Sequence, residues 1–129
     1  MRCAYLVSTA VLGALLTASS AMAEWRILGS RTVDRKGERD EIAVTATRGD
    51  FRRIKLGVAG AAVEFMEVHV IYGNGEPDKL EVRQKIAAGG ESRALDLRGN
   101  GRIIRKIVFW YRTEGFGKNR AVVSAFGWD

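Results

Sequence analysis

Short apolar runs, separated by turns rich in glycine and Asx residues, constrain the fold of this chain more than any other feature of its sequence. Apolar side chains alternate with polar or small ones at Ile42, Val44 and Ala46, at Ile54, Leu56 and Val58, and along Leu80, Val82, Gln84 and Ile86. Alternation with a period of two is typical of half-buried strands, and Gly, Asn, Asp and Pro mark turns. The pattern therefore predicts strands throughout.

The turns are spaced by roughly ten residues, which indicates about eight strands. We predict them near residues 25–33, 41–47, 51–59, 62–72, 79–86, 92–98, 102–112 and 120–127. No window has a persuasive helical period, and the densest apolar run, Val63–Tyr72, is rich in the β-branched and aromatic residues that favour sheets. The prediction is an all-β fold, a single compact antiparallel β-sandwich or jelly-roll-like domain, which fits better than a closed barrel.

Two of these runs do not keep a simple alternation. The run Val63–Tyr72 changes phase between Phe65 and Met66, which predicts a β-bulge. The run from Ile103 to Tyr111 carries apolar side chains in both phases, which predicts either a central strand or a second bulge.

The N-terminal segment has the pattern of an export signal. Arg2 precedes an apolar stretch from Tyr5 to Ala18, and Ala21-Met22-Ala23 has the small side chains that signal peptidase accepts. The stretch is shorter than the ~20 residues of a membrane-spanning helix. We predict a cleaved signal at residues 1–23, a single domain at 24–129, no transmembrane segment after cleavage, and a periplasmic or secreted protein.

Cysteine and histidine are too scarce for several kinds of site. Cys3 is the only cysteine and lies in the predicted signal, and His69 is the only histidine. Residues 24–129 therefore allow no disulfide, no cysteine-ligated metal and no thiol nucleophile. We predict no cofactor, no metal ligand and no catalytic residue.

Several segments together resemble a family of small exported bacterial proteins, the YaaI-like domain of unknown function. The resemblance rests on Trp25–Gly29, Val33-Asp34 followed by Asp40, Phe51–Val58, Val70–Pro77, Ser92–Leu97 and Arg102–Arg112. It implies export and a compact β fold. It implies no activity, so no catalytic residue is transferred from it.

The basic residues suggest a binding surface. The net charge is +6, and Arg2 is the only charged residue before residue 24. If the apolar positions of their strands face the core, an outward basic face contains Arg53, Lys55, Arg83 and Lys85. Such a face would bind an anionic polymer. An ordinary solvated surface, with Glu64, Glu67 and Glu81 interspersed, is the alternative that the sequence leaves open.

Two further arginines lie on the phase of apolar neighbours. Arg93 alternates with Leu95, and Arg105 alternates with Ile103 and Ile107. A half-buried guanidinium needs a partner. We expect a carboxylate from Asp34, Asp40 or Asp96 to supply it; the alternative is that these arginines line a pocket for an anionic group.

The carboxylates give weaker signals. The segment Asp34–Glu41 holds four of them, which suits either Ca²⁺ or a hairpin turn whose charges pair locally, but the spacing is not that of an EF-hand. His69 with Glu67 or Glu64 has the elements of a general base, although we expect His69 on the outer surface of its strand. Acid pairs drawn from Glu64, Glu67, Glu81, Asp96 and Glu114 show no spacing that brings two together.

Aromatic residues provide a second kind of binding signal. Stacking on sugars requires several exposed rings on one face, and the candidates are Trp25, Trp110, Trp128, Tyr72, Tyr111 and Phe116. Core packing accounts for most of them, and Trp110 and Tyr111 must point to opposite sides of their strand.

We predict a non-enzymatic binding or accessory domain that recognises an anionic or polysaccharide component of the envelope through its basic face. A small periplasmic hydrolase and a protein-protein interaction module of the envelope are the alternatives. Nucleic acid is disfavoured as a partner, because the chain carries an export signal, a modest charge and no nucleic-acid-reading motif.

Overall fold

The computed structural model describes residues 25–34, 36–44, 50–99, 101–113 and 120–129. Nine strands and no helix form among these residues. The described part of the chain therefore contains no helix that could span a membrane. The strands are β1 (Trp25–Thr32), β2 (Arg39–Ala43), β3 (Arg53–Ala59), β4 (Val63–Tyr72), β5 (Pro77–Leu80), β6 (Gln84–Ile86), β7 (Leu95–Asp96), β8 (Ile104–Thr113) and β9 (Val122–Trp128).

The strands build two antiparallel sheets. Sheet A has the order β1, β9, β3, β7, and sheet B has the order β2, β8, β4, β5, with β6 also paired to β4. All seven pairings are antiparallel. The described residues thus confirm the predicted all-β fold and its sandwich architecture.

The core lies between the sheets because each strand turns every second side chain inward. Sheet A contributes the buried residues Leu28, Ile54, Leu56, Val58, Val123 and Ala125. Sheet B contributes Ile42, Val63, Phe65, Val68, Val70, Ile107, Phe109 and Tyr111. Each fully buried aliphatic or aromatic side chain stabilises the fold by roughly 1.5–3 kcal/mol relative to exposure. The same alternation leaves one outer face on each sheet for other uses.

The phase change in β4 is a β-bulge, as predicted. Phe65 pairs with Tyr111 and Glu67 pairs with Trp110, so Met66 has no partner on β8. The extra residue allows Phe65 and Val68 to face the core although they are three positions apart.

Strand β8 is central, between β2 and β4, and it also contains an irregularity. Ile71 pairs with Lys106 and Tyr72 pairs with Ile104, which leaves Arg105 without a partner on β4. Consequently Ile104 and Ile107 are buried, whereas Arg105 is exposed. The predicted half-burial of Arg105 is wrong, because the bulge moves it off the phase of Ile107.

Two sequence predictions of local structure are corrected. The run predicted as one strand at 79–86 is divided into β5 and β6, and the amide of Val82 donates instead to the carbonyl of Leu80 (3.0 Å). The segment after Val33 is not a hairpin turn, because it carries the chain from sheet A to sheet B. An ion pair between Arg31 Nε and Asp40 Oδ1 (2.8 Å) joins these two sheet edges.

Candidate ligand-binding face

The outer face of sheet A carries a group of apolar side chains. Register places Trp25 beside Trp128 and Ile27 beside Phe126, and Lys55 lies beside Phe126 on the other side of β9. We call these five residues the aromatic face. They point away from the core because their strand neighbours Leu28, Ile54, Leu56, Val123 and Ala125 point into it.

The rings of the aromatic face lie close together. The centroids of Trp25 and Trp128 are 5.1 Å apart and their planes make an angle of 68°. The side chain of Ile27 extends the face, and this residue is 55% exposed. Phe126 lies over Gly57, where a Cβ atom would come within 3.1 Å of Phe126 Cε2. Glycine at that position therefore leaves room for the edge of the Phe126 ring.

Lys55 sits among the rings. Its Nζ atom lies 4.5 Å from the centroid of Trp25 and 5.7 Å from that of Phe126, both within the range of a cation-π contact. Nζ also forms an ion pair with Glu91 Oε1 at 3.1 Å. Next to it on β3, Arg53 Nε lies 3.0 Å from Asp96 Oδ1. The aromatic face thus combines apolar side chains with the ammonium of Lys55, and Arg53 lies at its edge.

The segment before β7 is held firmly against β3. The amide of Ser92 donates to the carbonyl of Leu56 (2.7 Å), and the Ser92 hydroxyl accepts from the Leu56 amide (2.9 Å). This buried serine and Glu91 were missed by the sequence analysis. The Ser92 hydroxyl also donates to the carbonyl of Arg93 (2.8 Å), and no local sequence pattern signals that arrangement.

The six basic residues of the sequence prediction do not lie together. Arg53 and Lys55 are on sheet A, whereas Lys85 lies opposite Glu64 on sheet B and Arg83 is exposed between β5 and β6. Arg105 is exposed at the β8 bulge. Of the six, the structure brings together Arg53 and Lys55 on one face.

Arg93 differs from its prediction. The residue is exposed, and its Nη2 atom donates to the backbone carbonyl of Glu81 at 2.8 Å. The expected half-burial beside a carboxylate is wrong, because residues 91–93 precede β7 and Arg93 does not share the phase of Leu95.

Several charged residues on the outer face of sheet B form ion pairs with one another. Lys79 pairs with Glu67 (3.1 Å) and Arg39 pairs with Glu41 (2.9 Å). The hydrogen bond from Arg39 lowers the pKa of Glu41. A groove of about 500 Å³ runs along β8 beside Trp110.

His69 lies on the outer face of sheet B, as expected, but it is half-buried. Its ring centroid is 4.7 Å from that of Trp110, and its Nε2 atom lies 3.7 Å from Glu67 Oε2. The nearest described carboxylate, that of Glu67, already pairs with Lys79. Within the described residues, His69 therefore has no unpaired carboxylate beside it to make it a general base.

Among the described residues, two of the four acids in the carboxylate-rich segment form ion pairs, and Asp34 Oδ1 accepts a hydrogen bond from the Lys36 amide (3.5 Å). Asp40 pairs with Arg31, and Glu41 pairs with Arg39 and, at 3.4 Å, with Lys106. Among the residues that the structure describes, no group of three or more His, Cys, Asp or Glu side chains is placed to hold a metal ion. Glu114 and Phe116 lie outside the described residues.

These observations define a two-sheet β-sandwich with half-buried aromatic rings and a lysine on the outer face of one sheet. Residues 5–127 match the model of a domain of unknown function, DUF2541, and the chain belongs to that family. The YaaI-like label and export stay predictions. No curated protein matches the chain.

Solved structures include proteins with a similar fold. The chain is 17% identical to AlgX of Pseudomonas aeruginosa, with a TM-score of 0.51, over 81% of this chain and 27% of that one. It therefore spans about a quarter of AlgX, and the likeness shows the fold alone. The SPBc2 prophage-derived protein YomS is 13% identical (TM-score 0.44), covering 84% of this chain and 94% of that one. A family 29 carbohydrate binding module is 10% identical (TM-score 0.39), covering 84% and 90%.

Proposed function

We propose that this chain is an exported, non-enzymatic binding domain that holds a polysaccharide of the envelope against its aromatic face. The observation that carries the proposal is the cluster on the outer face of sheet A, in which the half-buried rings of Trp25, Phe126 and Trp128 and the exposed side chain of Ile27 surround the ammonium of Lys55. Aromatic side chains that keep part of their surface in solvent on one face of a sheet can stack on a ligand.

The chemistry of the face suits sugars. Tryptophan and phenylalanine bury large areas on binding and lose little side-chain entropy, because each has only two rotatable bonds. The C–H faces of sugar rings are flat and apolar, so they stack on such rings, while hydroxyl or acidic groups at the sugar edge reach Lys55 and Arg53. The aromatic face lies on the outer surface of a sheet and spans β1, β9 and β3, so that a section of an extended polymer can cross it.

Titration of the exported domain with polygalacturonate and with a neutral β-glucan, followed calorimetrically, tests the proposal. The replacements Trp25→Ala and Trp128→Ala should each weaken glycan binding about tenfold or more, which corresponds to about 1.4 kcal/mol. The matched control is Trp110→Phe, because Trp110 lies on the outer face of sheet B. It should bind like the wild type.

Thermal unfolding of each variant shows whether it is folded. The proposal is wrong if the wild type binds neither glycan, or if folded Trp25→Ala and Trp128→Ala variants retain full affinity. Tight binding of an envelope protein that is lost in the same two variants would instead favour the interaction-module alternative.

A further inference from the structure

The ammonium of Lys55 is largely enclosed by its neighbours. It has three N–H donors, and Glu91 lies at 3.1 Å on one side while the rings of Trp25 and Phe126 lie nearby. Its side chain is 18% exposed. An anionic ligand that reaches this nitrogen therefore competes with Glu91 for it.

Glu91 is built so that its side chain can leave without moving its backbone. Gly57 and Glu91 form a β-bridge, and the flanking bonds from Val58 to Gly90 (3.0 Å) and from Ser92 to Leu56 (2.7 Å) hold the main chain. The side chain of Glu91 is 51% exposed, however. Rotation of this side chain into solvent breaks its ion pair with Lys55 and leaves the flanking backbone hydrogen bonds in place.

The neighbouring cation repeats this arrangement. Arg53 is two residues from Lys55 on the same face of β3, about 7 Å away along the strand. Its partner Asp96 lies on β7 and is 83% exposed. Lys55 and the adjacent Arg53 are thus each paired with one exposed carboxylate from the segment 91–96.

We propose that Glu91 and Asp96 occupy the positions that ligand carboxylates take, so that the ligand of the aromatic face is a polysaccharide containing uronic acids. A sugar carboxylate replaces Glu91 on Lys55, and a second one replaces Asp96 on Arg53, while the sugar rings stack on the aromatic side chains. This inference rests on the proposed function, and it adds the chemical class of the ligand and the residues that select it.

The exchange also explains why the two cations are covered. An anion that merely approaches the face gains little, because each cation is already neutralised and exposed pairs are screened by salt. A polymer that supplies a carboxylate beside a stackable ring gains both contacts together. Glu91 and Asp96 therefore weaken the binding of any anion, and a polymer whose rings also stack on the face offsets this cost where a small anion does not.

The test compares Glu91→Gln with the wild type on two polymers that share a backbone, polygalacturonate and its methyl ester. The variant should bind polygalacturonate about two- to fivefold more tightly, which is the range of one exposed ion pair, and the double variant Glu91→Gln/Asp96→Asn should gain more. Affinity for the uncharged methyl ester should be unchanged. Dextran sulfate, which is charged but has no carboxylate, should bind less tightly than polygalacturonate to every variant.

Glu67→Gln is the matched control, because Glu67 pairs with Lys79 at the same 3.1 Å but on the outer face of sheet B. It makes the same change in net charge and should alter affinity less than twofold. The inference is wrong if Glu91→Gln binds polygalacturonate no more tightly than Glu67→Gln does, or if the methyl ester or dextran sulfate gains as much. In those cases loss of binding in Trp25→Ala would still support the proposed function.

Discussion

The hydroxyl of Tyr72 donates a hydrogen bond to Oδ2 of Asp78, and both residues are buried. The backbone amide and Nε of Arg98 also donate to this carboxylate, at 3.2 and 3.1 Å. Burial by itself would raise the pKa of Asp78, but the bonds from Tyr72 and Arg98 outweigh it and the pKa is lowered. The pair ties the end of β4 to β5 and to the segment after β7.

At alkaline pH, the free energy of unfolding depends on the hydrogen bond between Tyr72 and Asp78. Burial and then the bond to Asp78 raise the pKa of Tyr72 to about 12, whereas an unfolded tyrosine titrates near 10. The neutral hydroxyl therefore stabilises the fold fully below pH ~10, and this contribution is lost as the pH rises toward about 12.

Replacing Tyr72 with Phe should lower the free energy of unfolding by roughly 1–3 kcal/mol at pH 7, because it leaves a buried carboxylate one donor short. The difference from the wild type should narrow between pH ~10 and ~12. Urea unfolding followed by tryptophan fluorescence at pH 7, 9 and 11 measures both effects. A difference that stays constant above pH 10 would contradict the raised pKa.

The bulge at Met66 should be dispensable for the pairing of β4. Deleting Met66 removes the extra residue, so that Phe65, Glu67 and Val68 alternate regularly and Phe65 and Val68 both still face the core. We expect this deletion to lower the free energy of unfolding by about 1 kcal/mol or less. Deleting His69 instead, where the pairing is regular, shifts the register by one residue and should cost about 2–5 kcal/mol, because core side chains of β4 then turn outward. Equally low urea midpoints for the two deletions would show that the bulge is needed.

Export can be checked by intact mass. We expect the protein secreted from its host to begin at Glu24, because Ala21-Met22-Ala23 is the one good cleavage site after the apolar stretch. That protein contains no cysteine, so a reductant should leave its melting temperature unchanged. A mass that includes residues 1–23 would refute export and would return Cys3 to the folded chain.

The strands were predictable wherever one face of a strand is buried. Ile54, Leu56 and Val58 occupy every second position of β3 and are all buried. A half-buried strand has apolar residues at every second position, so its sequence shows this period directly. The bulge at Met66 was equally predictable, since two runs of opposite phase meet there. The bulge at Arg105 was not assigned to a residue, because apolar side chains occupy both phases around it.

The candidate site was predictable only in part. Arg53 and Lys55 were identified as outward cations, and their exposure follows from the same period. Their partners Glu91 and Asp96 were not identified, because contacts across strands 36 and 43 residues apart depend on register. Trp25 and Trp128 were recognised as possible stacking residues without any sign that they are neighbours.

The sequence by itself determined that this chain forms short strands with one apolar side, because the alternation of side chains is a local property. Only the tertiary structure decided which outward side chains share one face of a sheet. Placing β9 between β1 and β3 brings Trp25, Trp128 and Lys55 onto one surface and sends Lys85 to the other sheet. That choice follows from packing two sheets around one core, whose free energy depends on the burial of all the inward side chains together.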